Sequence, residues 1–251
     1  MMMELQKKEG VFLTLTYEDL AVPLSPEGRM TLRLKDFQDF MKRFRYYIRN
    51  DYANIKYYYC GEYGENTFRP HYHVAIFGVP FEYFAPYEFR KNEFASSLIQ
   101  RIWFLGFNNC SILTPASISY VTKYLDKIFR FNYGENPYGD AVKPFAHMSK
   151  GIGLDWFLEN KELILKKDFK LKLSDGSPVA LSEYFIKKLR ESMTIEERYN
   201  LMLKLKKESD ERVTKELKRL KVKNIEQLER MRHQKETDRR YLAHLKKRDK
   251  I

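Results

Sequence analysis

His71-Tyr72-His73 places two imidazoles at i and i+2. On a strand those positions share one face, with Tyr72 opposite. Two neutral imidazoles side by side are a ready pair of ligands for a divalent metal. Glu62, in the preceding stretch CGEYGE, returns beside the histidines if the two stretches pair antiparallel. Glu65 is the alternative carboxylate, at the turn between them. Two nitrogens and one carboxylate leave coordination positions open for water and a substrate oxygen, a set that accepts Mg²⁺ or Mn²⁺, and Zn²⁺ as well. An HxH triplet can also fill a polar patch on a strand without binding anything, so its weight comes from its neighbours.

A second group of residues suits covalent chemistry. Tyr120 and Tyr124 stand at i and i+4 in SYVTKYLDK, and each is followed three residues later by a lysine, Lys123 and Lys127. On a helix the two phenols share a face, roughly 5–6 Å apart at Cβ. A tyrosine hydroxyl can attack phosphorus and form an ester, and a nearby cation favours the phenolate it needs. Tyrosines at this spacing are also common core packing; the pairing with the histidines gives them meaning.

The elements that must hold these residues are legible in outline. Residues 11–17 (VFLTLTY), 55–63 and 71–77 read as strands, and 109–113 as a short one. Residues 34–48 put Leu34, Phe37, Phe40, Met41, Phe44 and Ile48 at helical spacing. Residues 87–104 and 116–129 also read as helices, the latter opened by Pro115. Residues 131–144 read as loop. MSKGIG at 148–153 precedes a short helix at 155–159, and 170–173 with 177–180 form a weak hairpin about Asp175-Gly176. After Pro178 the chain holds no Gly or Pro and is densely charged, which predicts long helices. The sum is an α+β domain on a mainly antiparallel sheet with a charged helical extension. The division expected is residues 1–160 as the catalytic domain, 161–190 as a small extension packed on it, and 191–251 as a basic helical tail. Val213, Leu217, Leu220, Leu228 and Met231 recur in that tail at near-helical spacing, as a docking face or simply within a solvated basic arm.

Composition is consistent with a polyanionic partner. The 251 residues carry a formal charge of +12, with 18 Tyr and 18 Phe. Cys60 and Cys110 are the only cysteines, which argues against a disulfide framework. No signal pattern and no apolar run long enough for a membrane span occurs, so the expectation is a protein of the cytoplasm with no membrane partner.

Together the motifs resemble those of the HUH endonuclease superfamily, in its order: VFLTLTY, then RPHYHVAIFG, then YVTKYLDK. GEYGENTFRPHYHVAIFG and MSKGIGLDWF are similar to segments of the replication initiators of microviruses, the gokushoviruses in particular. The resemblance covers residues 11–157 well and weakens to about 189. It implies a five-stranded antiparallel sheet flanked by helices, with Mg²⁺ or Mn²⁺ on His71, His73 and Glu62. It implies Tyr120 and Tyr124 as alternating nucleophiles on single-stranded origin DNA, with Lys123 holding phosphate or activating a tyrosine. Plasmid relaxases and single-strand transposases share this chemistry, and a non-catalytic single-strand-binding module is the alternative of a different class. Thr14, Thr16, Arg69 and Lys150 are candidate DNA contacts. No GxxxxGK[ST] phosphate loop is present, so unwinding by a host helicase of the bacterial cell is implied.

Overall fold

The structure is a computed structural model. It describes residues 1–52, 54–130, 137–167, 171–172, 176, 178–179, 181–220, 224–230 and 233–234. Two compact units divide at residue 185/186.

The first unit is built on one antiparallel sheet. Its strands are β1 (Gly10–Tyr17), β2 (Lys56–Tyr63), β3 (Pro70–Phe77), β4 (Tyr87–Arg90), β5 (Glu93–Ala95), β6 (Gly106–Ile112) and β7 (Phe145–Met148). They lie in the order β4-β5-β6-β1-β3-β2-β7. The helices around it are α1 (Met2–Leu5), α2 (Leu34–Ile48), α3 (Ser97–Ile102), α4 (Pro115–Arg130), α5 (Leu154–Glu159) and α6 (Lys161–Lys166). A two-residue pairing of β8 (Leu171–Lys172) with β9 (Pro178–Val179) matches the hairpin read at 170–180. The rest of that hairpin, including residues 170, 173, 177 and 180, lies outside the described residues, as do 131–136 of the loop read at 131–144.

Strand alternation sorts the two faces. Val11, Leu13, Leu15 and Tyr17 of β1 and Tyr72, Val74 and Ile76 of β3 face α2, whose Phe37, Phe40, Met41 and Phe44 fill the larger core with Trp103. The intervening residues face α4. There Tyr58, Cys60, Ala75 and Phe77 meet Ile118 and Val121 in a smaller core.

The sheet has seven strands, not five. One extra pair replaces part of the helix expected over 87–104. Asn92 adopts a left-handed conformation at φ 61°, which turns the chain back into the β4–β5 hairpin. Ser96 then caps α3, accepting from the Ile99 amide, so only six residues of that span are helical. The side chains of Tyr87 and Phe89 were the misleading signal: aromatic residues at that spacing suit either element. β7 adds the other strand, on the outer edge of β2.

α7 (Glu183–Glu191) crosses the boundary between the units. α8 (Ile195–Leu220) is the long charged helix that the tail predicts. Thr194 and Glu197 cap it reciprocally: the Glu197 amide donates to Thr194 Oγ1, and the Thr194 amide to the Glu197 carboxylate. Met231, read as part of the tail's apolar spacing, lies outside the described residues. No described helix is long and apolar enough to cross a membrane.

Candidate metal and tyrosine site

Register creates the metal group. β2 and β3 pair so that Glu62 stands opposite His71, and Cys60 opposite His73. β1 flanks β3 on the other side, with Thr14 opposite His73 and Thr16 opposite His71. Directly opposed residues share a face. The Glu62 carboxylate is therefore delivered to the two imidazoles: Oε1 lies 2.9 Å from His71 Nε2 and 3.0 Å from His73 Nε2. The three ligand atoms sit within 4.8 Å of one another. Glu65 stands exposed in the turn, away from this group.

The outer nitrogens fix the rings. His71 Nδ1 is 3.1 Å from the Arg69 carbonyl, and His73 Nδ1 is 3.0 Å from Thr14 Oγ1. A carbonyl can only accept, so His71 Nδ1 carries a proton and a neutral His71 turns its Nε2 lone pair toward Glu62. Two acceptors 2.9 Å apart need a cation or a second proton between them. Burial disfavours a charged His73, against the pull of the Glu62 hydrogen bond. Burial also works against the Glu62 charge, yet hydrogen bonds from both histidines hold its carboxyl down at about 2. An ionised carboxylate facing two imidazole nitrogens is a donor set that fits a divalent cation.

α4 carries the tyrosines. Thr114 caps it, accepting from the Ser117 amide, while Ser117 Oγ accepts from the Thr114 amide. Pro115 takes the first helical position, where no amide is needed. Ile118 and Val121 bury against the sheet. That anchoring turns Tyr120 and Tyr124 onto His73. The Tyr124 ring stacks on the imidazole, with centroids 5.3 Å apart and planes at 20°, and Tyr120 meets it edge-on at 5.2 Å. Tyr124 donates to the Tyr120 hydroxyl. Burial, this bond and the neighbouring Glu62 charge raise the Tyr124 hydroxyl well above its ordinary range. A positive charge at the histidines would oppose the Glu62 contribution. Tyr120 is the more open of the two, 43% exposed.

The remaining sequence-derived residues fall at different distances from this centre. Lys123 is exposed on α4 between the two tyrosines. The side chain of Lys127 lies outside the described residues. Thr14 is committed to His73. Thr16 lines a cavity with Arg69. Arg69 is tied back: its guanidinium donates to the Tyr17 carbonyl at 2.8 Å and pairs with Asp19. Lys150 is exposed in the turn after β7, its carbonyl accepting from Lys56 Nζ, outside the triad.

Two contributors escaped the sequence reading. Phe12 stacks on His73, centroids 5.7 Å apart at 13°, and it shares the face of Thr14 two residues on, so strand alternation could have found it. The Arg69 carbonyl orients His71, and no side-chain pattern announces a backbone acceptor.

Comparison with known proteins places these elements. The family model of the replication-associated protein ORF2 matches residues 10–129, the span from β1 to the end of α4. The chain is 34% identical over 174 residues to the replication-associated protein ORF2 of Spiroplasma virus 4, covering 67% of this chain and 53% of that protein. It is 28% identical over 194 residues to the replication-associated protein VP4 of Bdellovibrio phage phiMH2K, covering 70% and 56%. Over 168 residues it is 27% identical to the replication-associated protein ORF4 of Chlamydia phage 1, covering 63% and 41%. The chain thus spans about half the length of the curated relatives it matches. No solved structure matches it.

Proposed function

We propose, from the membership of residues 10–129 in the family of the replication-associated protein ORF2, that the chain initiates phage rolling-circle replication by nicking single-stranded origin DNA through a tyrosine. The observation that carries this reading is the convergence of both Tyr120 and Tyr124 on His73, whose other edge faces the Glu62 carboxylate.

Glu62, His71 and His73 would hold Mg²⁺ or Mn²⁺. Such a cation, when bound, polarises the oxygens of the scissile phosphate and offsets the charge that develops there. One tyrosine oxygen attacks phosphorus, giving up its proton. The P–O3′ bond breaks and the 3′ oxygen leaves as a hydroxyl, taking a proton. The 5′ phosphate remains esterified to the tyrosine, so the bond's energy is conserved. Rejoining is the reverse, with a free 3′-hydroxyl attacking the phosphotyrosine. Two nucleophiles on one helix face allow a second cut while the first ester is still loaded. Lys123 and Lys127 would neutralise the phosphate from the same helix. Thr14 orients His73 while Thr16 lies along the DNA path. Arg69 shapes that path's edge, and Lys150 would meet the backbone beyond it. Strand separation is assigned to a host helicase, and the place of action to the bacterial cytoplasm. Relatives from three phages favour this biology over plasmid mobilisation or transposition.

The test is a denaturing gel of the protein incubated with labelled single-stranded phage intergenic DNA and Mn²⁺. A band carrying protein and DNA is expected, lost with EDTA and lost in the Tyr120→Phe, Tyr124→Phe double variant. Persistence of the band in that variant would refute the tyrosine mechanism.

A further inference from the structure

The face of the sheet that bears the triad is covered on one side only. α4 lies over β3, β2 and β7. On the β1–β6 half, the register sets Phe107 opposite Thr16, Thr16 opposite His71, and His71 opposite Glu62. The four residues form one row on one face. Phe107 stands two strand spacings from His71, about 10 Å. Its neighbour Asn108 points to the other face and is only 6% exposed, while the Phe107 ring is 64% exposed. An aromatic ring in an interior strand, open to solvent, has no packing role. Around it lie Thr14, Thr16, Asn109 and Ser111, half-buried and polar.

A cavity of about 440 Å³ opens beside this ring, lined by Thr16, Glu18, Asp19, Leu20, Arg69 and Phe107. The Arg69 guanidinium is held against its wall by the Tyr17 carbonyl and Asp19. Glu18 and Asp19 put carboxylate acceptors at the cavity. They repel a phosphate but suit the amino edge of a base. A flat apolar ring, a slot of this size and acceptors at the rim together describe a seat for a nucleobase, not for the backbone.

We propose that Phe107 is the stacking platform for one base of the single strand, seated in this cavity, next to the phosphate held at the triad. The proposal rests on the nicking reading. Stacking that base fixes how far the strand slides along the row Phe107–Thr16–His71–Glu62, and so which phosphodiester lies under Tyr120 and Tyr124.

The experiment uses the full chain with both tyrosines changed to Phe, so that binding is read without cutting. A single-stranded oligonucleotide selected from a random pool for tightest binding in Mn²⁺ is remade with each nucleotide in turn abasic, and affinities are read by fluorescence anisotropy. One abasic position should weaken binding on the order of 5- to 100-fold, the worth of one base–aromatic stack. Phe107→Ala should weaken binding to the intact strand by a similar factor and be indifferent to that abasic position. Phe107→Trp should restore both affinity and discrimination. Mn²⁺ binding, read by calorimetry, should be unchanged in both variants, which shows that they fold. The proposal is overturned if Phe107→Ala binds the intact strand as tightly as its parent, or keeps the full abasic penalty. An absence of covalent adduct from the unmodified protein, with Phe107-dependent binding intact, would sink the nicking reading alone.

Discussion

Tyr124 lies flat on His73, its ring planes within 20° of parallel, so nucleophile and ligand are packed as one unit. Removing the hydroxyl alone leaves that unit in place. Tyr120→Phe and Tyr124→Phe should each fold, bind Mn²⁺ about as well as the parent, and still form one covalent adduct through the remaining tyrosine. Neither should complete two successive cuts on a strand carrying two origins. Quantifying adduct and rejoined circle in single-turnover reactions distinguishes the two steps. A single variant that lost all adduct would show that only one tyrosine is a nucleophile.

The metal group makes a graded prediction. Thr14 touches His73 only through its outer nitrogen, at 3.0 Å. Thr14→Val keeps the side-chain shape and removes that partner, so Mn²⁺ affinity should fall about 10-fold, as for other groups that orient a ligand. Glu62→Gln removes the only carboxylate of the group and should weaken binding further than Thr14→Val. Titration calorimetry reads both, with Glu65→Gln as the control expected to match the parent. Equal affinity in Glu62→Gln would remove the metal assignment.

Tyr72, between the two histidines, works on the opposite face. Its hydroxyl donates to the Arg33 carbonyl at 2.8 Å, accepts from the Arg33 amide at 3.1 Å and contacts Tyr17 Oη at 2.8 Å. These bonds tie the start of α2 to β3. Tyr72→Phe should cost about 1–3 kcal/mol in urea unfolding, because the partners stay buried without it. Mn²⁺ affinity should stay close to the parent's, since the imidazoles point the other way. A large loss of metal binding with little loss of stability would mean that the strand's two faces are not separate in function.

The triad was legible because strand alternation and one antiparallel turn suffice to bring Glu62 onto His71 and His73. The i, i+4 tyrosines were legible because helical spacing is fixed by geometry. What brought the helix onto the histidines was not: the descent of α4 across β3 depends on the packing of Ile118 and Val121 on Cys60 and Ala75, which no local pattern encodes. The β4–β5 hairpin was missed because its turn rests on a non-glycine residue, Asn92, in a left-handed conformation. Phe107 was invisible as a feature because exposure is decided by what fails to cover β1 and β6. Arg69 read as a free cation, whereas its guanidinium is spent on Tyr17 and Asp19.

The two thiols report on the integrity of both faces. Cys60 and Cys110 are fully buried and unpaired, Cys60 in the smaller core and Cys110 in the larger. Burial pushes the Cys110 thiol up to about 11, from 9.0. Burial, with the neighbouring Glu62 charge, pushes Cys60 up as well. The reactive thiolate is therefore suppressed in the folded chain at neutral pH. Alkylation at pH 8 should follow opening of the fold, rising steeply through the urea transition, and Mn²⁺ should slow it by stabilising the folded state. The same shift sets the sign of the alkaline limb. Above about pH 9 the unfolded chain releases thiol protons that the folded chain keeps, so the contribution present below pH 9 is lost as pH rises toward 11. Cys110→Ala should flatten that slope, measured as urea midpoints between about pH 8 and about pH 10.5. Rapid alkylation of both cysteines in the native protein would contradict the buried placement of β2 and β6.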